Sequence, residues 1–151
     1  MGALPYRLLP RGAAPVGFSI ATGALEVTAL PGRVRCAEPR VGELEVAVFG
    51  AALIIDRDGI LAAKASEATG GRPAVPVTLP GASGYRAEMV TDPPLRYVHV
   101  FAIAPDDLGV DGGVLVTIRS AHPEWPAAEE LLGSLRILTR RGITPANESH
   151  A

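Results

Sequence analysis

The run from residue 97 to residue 104 is apolar on both period-two faces. Tyr97, His99, Phe101 and Ile103 share one face, and Val98, Val100, Ala102 and Ala104 share the other. That pattern predicts a central strand covered on at least one side. Residues 114–118, VLVTI, are its predicted antiparallel partner, reached through the acidic, glycine-rich loop PDDLGVDGG. A proline-marked corner follows at 122–126, where Pro126 suits the first position of a helix. Glu129 and Glu130 fall in the early turns, where carboxylates complement the helix dipole. Ala128, Leu131, Leu132 and Leu135 form its apolar stripe. Arg136 stands near the helix end, with Ile137 and Leu138 still within reach of a core. This strand, strand and helix unit, residues 97–138, organises the reading of everything upstream.

Upstream, Phe18, Ile20, Leu25, Val27 and Ala29 lie on period-two faces around a Thr22-Gly23 turn. Pro31-Gly32 turns the chain into a further strand at Val34 and Cys36, which predicts a hairpin. From Gly42, Leu44, Val46 and Val48 alternate with Glu43 and Glu45, the mark of a half-buried strand, before the run turns wholly apolar up to Ile55. Residues 58–69 admit two readings. DRDG is hairpin-turn chemistry. Equally, Asp58 can cap a helix carrying Ile60, Leu61, Lys64, Ala65 and Ala68, which Gly70-Gly71 would stop. The Ala, Lys and Glu content favours the helix. Residues 74–79 predict either an edge strand or a strand that begins after Pro76, because Pro76 lacks a ladder donor. Residues 85–91 predict another strand, ended by Asp92-Pro93-Pro94.

Together these elements predict the α+β class: a single domain of mainly antiparallel β-sheet, with a C-terminal helix and one more helix packed on it. The domain is expected over 18–139, between an irregular lead-in at 1–17 and a flexible tail at 140–151. At 151 residues the chain is long enough to bury a core without staples.

Composition narrows the functional classes. Hydrophobic residues make up 48% and charged residues 20%, which argues against disorder. Only 5% are aromatic, so the core must be aliphatic. A net charge of −2 leaves no basic footprint for nucleic acid, and the only adjacent arginines are Arg140 and Arg141. One lysine, no glutamine and abundant Ala, Gly, Pro and Arg look like GC-rich coding, so an actinobacterial or similar bacterial source is expected. The longest apolar run, 46–55, is far short of a membrane span. The prolines at 5, 10 and 15 interrupt any signal-peptide core, so a soluble, cytoplasmic protein is expected; a chain trimmed of a leader would read the same.

Candidate chemistry is sparse. Cys36 is the single cysteine, which excludes an internal disulfide and predicts a small buried hydrophobe. Asp106, Asp107 and Asp111 crowd one loop, but their spacing is not that of an EF-hand and no distal bidentate glutamate follows, so a solvated hairpin loop is the simpler reading. His99 and His122 lack a third ligand at a recognisable spacing, so no metal and no cofactor is expected. No GxSxG, P-loop or GxGxxG occurs. Trp125 beside prolines, and Tyr85, are candidate partner contacts, although a Trp sealing the base of the helix against the sheet is the favoured reading of the former, because large aromatics bury most of their area. Phe101, Ile103, Leu131 and Leu135 would line an apolar ligand pocket between sheet and helix.

The C-terminal half, over about 74–138, resembles the PsbP-like fold family. The likeness lies in LPGASGYRAE, in the pairing of YVHVFAIA with VLVTIRSAHPEW, and in the closing AAEELLGSLRIL. The usual extended opening segment of that family is absent, with only Phe18 near its place. The resemblance implies an antiparallel sheet with helices packed on it and a mostly non-catalytic role, and it carries over no functional residue set. The leading expectation is therefore a non-catalytic accessory protein that binds another protein, in an oligomeric state the chain does not disclose. A small apolar-ligand carrier is the alternative. An enzyme would require Asp106 or Glu88 to converge with His99.

Overall fold

The computed structural model describes residues 6–10, 15–107 and 109–140. Ten strands and two helices follow one another along them. Seven strands form one antiparallel sheet: β3 (Glu26–Leu30), β4 (Arg33–Glu38), β5 (Gly42–Gly50), β6 (Val75–Leu79), β7 (Ala82–Val90), β8 (Tyr97–Pro105) and β9 (Gly112–Ser120). Their spatial order is β3-β4-β5-β9-β8-β7-β6. The strand predicted as central, β8, lies between β9 and β7 and is buried at seven of its nine positions. β6, the strand carrying Pro76, is an edge of the sheet.

Period-two alternation sends the side chains of this sheet into two separate cores. On one face Val34, Cys36, Leu44, Val46, Phe101, Ile103, Val114, Val116 and Ile118 meet Phe18, Ile20, Trp125, Leu131 and Leu135. On the other face Ala87, Ala102 and Ala104 receive Leu53, Leu61 and Ala65. Three alanines on the sheet leave room for a helix backbone to come close, and α1 (Leu53–Ala68) takes that place against β7 and β8.

The segment with two readings is thus a helix, and its start differs from the expected one. The capping side chain is Asp56, not Asp58. Asp56 has extended backbone angles, φ −157° and ψ 77°, and its Oδ1 accepts the Gly59 N–H at 3.1 Å. That is the contact an N-cap side chain makes with the third helical residue. Residues 53–55 form a preceding turn that fills the end of the apolar run. Gly70 and Gly71 stop the helix with φ of 67° and 93°, and the Gly71 N–H closes on the Ser66 carbonyl. Arg57 fastens α1 to the sheet end. Its Nη2 donates to the carbonyls of Ser83, Ala104 and Pro105 and to the Ser83 hydroxyl, at 3.0–3.3 Å.

The first core is closed by a second sheet that the sequence patterns did not show. β1 (Tyr6–Leu8) and β10 (Arg136–Thr139) flank β2 (Val16–Ile20), both antiparallel to it. Part of the stretch read as irregular lead-in is therefore strand, and the chain after α2 (Pro126–Ser134) is strand rather than helix exit. β1 has three residues and β10 four, too few for either period to declare itself. Gly17 allows the approach of β1: a Cβ there would run into the Leu8 carbonyl. The strands either side of Thr22-Gly23 are not paired with each other, so this linker carries the chain from the small sheet to the large one. Residues 1–5, 11–14 and 141–151, including nearly all of the expected tail, lie outside the described residues.

The result is a single-domain α+β fold with mainly antiparallel sheet. Neither helix is long and apolar enough to cross a membrane.

Candidate functional site

The residues singled out in the sequence do not gather into one site. Trp125 is 5% exposed, so its ring is a core element instead of a surface anchor. Its Nε1–H donates to Glu38 Oε1 at 2.8 Å, and its ring lies against Gly42, where a Cβ would sit 2.7 Å from Cδ2 and Cε3. Phe101, Leu131 and Leu135 are buried in the same core as Trp125, and Ile103 is fully buried there. Together they fill the space between sheet and α2 that a carrier pocket would have used. Leu131 also reaches a surface cleft of about 310 Å³ between residues 21–25 and α2. Tyr85 packs on the α1 side of the sheet.

The acidic residues serve the end of the sheet. Asp106 Oδ1 accepts the Ser83 hydroxyl at 3.0 Å, Asp107 Oδ1 accepts the Gly109 N–H at 3.1 Å, and Asp111 Oδ1 accepts the Ile54 N–H at 3.3 Å. Among the described residues no group of three His, Cys, Asp or Glu side chains is placed to hold a metal. Cys36 is fully buried, and desolvation raises its thiol pKa, which opposes formation of the nucleophilic thiolate.

The convergence that does occur is at the other end of β8. The hairpin of β7 and β8 is symmetrical about Pro93 and Pro94. Glu88, five residues before Pro93, therefore pairs with His99, five residues after Pro94. Two directly opposed residues point to the same face of a sheet. Glu88 Oε2 stands 3.2 Å from His99 Nδ1 and 3.6 Å from Arg86 Nη1. Their face is the one that carries Phe101 and Ile103, yet here the cover runs out. The His99 side chain is 29% exposed and that of Glu88 63%.

The uncovered end forms a cleft of about 430 Å³, lined by Arg72, Glu88, Met89, Val90, Tyr97, His99 and Pro123. Arg72 enters from the loop after Gly71. Pro123 comes from the corner that leads into α2. A neighbouring cleft of about 350 Å³ shares Arg72 and Glu88 and adds Pro73, Val75 and Arg86. Val75 and Val90, 45% and 56% exposed, give the rim apolar surface. Arg72 makes no hydrogen bond or ion pair among the described residues.

Of these groups, the sequence reading had named Glu88 and His99 as able to converge, and had missed Arg72, Tyr97, Val90 and Pro123. The signal for the pair was present, since folding the hairpin about the Pro93–Pro94 bond brings Glu88 opposite His99. No such signal marks Arg72 or Pro123, which reach the cleft from distant loops.

Fold and cleft together define a small α+β protein with an open, mixed polar and apolar site on one sheet face. No family model, curated protein or solved structure matches the chain.

Proposed function

We propose that the protein is a binding module whose ligand seats in the cleft around His99 and Glu88. The observation that carries this reading is the coincidence of three features at one place: the cleft, the cross-strand His–Glu pair, and an arginine, Arg72, without a hydrogen-bond or ion-pair partner among the described residues. A concave site with a few convergent polar groups on apolar walls is the ordinary form of a small-ligand site. Binding is favoured over catalysis by the openness of the site. Glu88 already faces both Arg86 and His99 and is largely exposed, so solvent screens the fields that a general acid or base would need. The carrier reading thereby moves from the sheet–helix interface to the β7–β8 face.

The test is a nuclear magnetic resonance titration with a panel of small organic acids, amines and neutral amides. Amide and side-chain shifts should cluster at Arg72, Glu88, Tyr97 and His99. A panel that perturbs none of these residues removes the proposal.

One observation favours an accessory role with a protein partner. Ile54 and Ile55 are 76% and 80% exposed at the start of α1, beside Leu53 at 3%. Adjacent bare isoleucines on an ordered turn are apolar area that a partner would remove from water. The resemblance to the PsbP-like family, whose members are mostly non-catalytic, agrees with either binding role. An Ile54→Ser/Ile55→Ser variant with an unchanged circular dichroism spectrum should lose any complex that the wild-type protein forms with a defined native partner. A complex that survives the double substitution counts against this surface.

A further inference from the structure

Building on the reading that the β7–β8 cleft binds a ligand, we propose that it takes an organic carboxylate, a small acid with an apolar body. The charges of the lining decide the sign. Among the described residues Glu88 is the one carboxylate on the cleft wall, and its Oε2 stands 3.2 Å from the His99 ring and 3.6 Å from the Arg86 guanidinium. Its charge is offset from within the protein. Arg72 has no such partner among the described residues, so the uncompensated charge of the site is positive.

A guanidinium offers a planar fork of donors that matches a carboxylate in two parallel hydrogen bonds. The His99 ring lines the same wall, with Nδ1 directed at Glu88. A cationic ligand would meet Arg72 and Arg86 and find Glu88 already engaged. A phosphate would carry more charge than one unpaired guanidinium answers.

The rest of the lining specifies the body of the ligand. Val90, Tyr97 and Pro123 present branched aliphatic, aromatic and ring-methylene surface, and Val75 continues it at the rim of the adjoining cleft. A volume of about 430 Å³ lies toward the small end of ligand pockets. The combination fits a carboxylate at Arg72 with a short aliphatic or aromatic body laid across Tyr97 and Val90. Because the site is open, the charge contribution is salt-sensitive.

The experiment is a titration of phenylacetate and hexanoate against the intact chain, beside phenylacetamide and hexanamide, on wild-type protein and on Arg72→Gln and Arg72→Lys. The acids should bind about tenfold more tightly than their amides, in keeping with the worth of one hydrogen bond to a charged group. Arg72→Gln should weaken the acids about tenfold and leave the amides unchanged. Arg72→Lys should fall between, since an ammonium keeps the charge and loses the fork. Arg72 is an exposed loop residue, so its replacement should leave the melting temperature unchanged. Amides that bind as well as acids, or acids indifferent to Arg72→Gln, overturn the carboxylate assignment while leaving the cleft a binding site. If acids, amides and amines all fail to perturb the cleft residues, the binding reading itself falls.

Discussion

Glu88 and His99 face each other across β7 and β8 with Oε2 and Nδ1 3.2 Å apart, on a sheet face that is core two residues away, at Phe101, and solvent-lined here. Such a pair orients a ring more than it stabilises a fold. Exposed ion pairs contribute about 0–1 kcal/mol. Glu88→Gln should therefore shift the melting temperature by less than about 4 °C for a chain of this size. It should alter ligand affinity measured by calorimetry, because the ring loses its anchor. A large thermal shift would show that the pair is structural.

Trp125 makes the opposite prediction. Its ring is buried, hydrogen-bonded to Glu38 and seated on Gly42. Trp125→Ala should cost about 3–5 kcal/mol in urea denaturation, as for other buried aromatic truncations. Gly42→Ala should cost about 1–3 kcal/mol by overpacking. The two effects should be strongly non-additive, since the methyl group has room once the indole is gone. Simple additivity would mean that the contact is relieved elsewhere.

The helix cap separates two neighbouring aspartates. Asp56→Ala should lower stability by about 1 kcal/mol, the usual worth of an N-cap side chain. Asp58 is 74% exposed and, among the described residues, has only a long contact with Arg57, at 3.9 Å. Asp58→Ala should stay within about 0.5 kcal/mol. Equal effects in denaturant titrations would place the cap at the wrong residue.

Cys36 ties stability to alkaline pH. Burial raises its thiol pKa in the folded chain above the ordinary value near 8.5. The unfolded chain therefore releases the proton first. This contribution to stability is complete below about pH 8.5 and is lost as pH rises toward the folded value. Cys36→Ala should flatten that part of the stability profile, apart from a constant packing loss. Native protein should react with a thiol reagent only at the rate of opening. Rapid labelling of folded protein would contradict the burial.

Residues 97–104, apolar on both faces, determined by themselves a central strand, because a stretch without a wet face must be covered. Pro76 determined an edge, because a missing donor leaves a gap in an interior ladder. Gly70-Gly71 determined a helix end, and Pro126 a helix start. These are consequences of local stereochemistry and of a short repeat, so one segment suffices to show them. The second sheet was decided only in three dimensions. Tyr6–Leu8 and Arg136–Thr139 are too short to carry a period, and they become strands because β2 lies between them and supplies hydrogen-bond partners. The fate of Trp125 was likewise decided by Glu38 and Gly42, far away along the chain. The cleft belongs to both levels. Hairpin symmetry about Pro93 and Pro94 placed Glu88 opposite His99, a relation written in the chain. The arrival of Arg72 and Pro123 beside them depends on how α1 and the corner before α2 settle on opposite faces of the sheet, and a long-range packing choice of that kind leaves no mark in the local pattern.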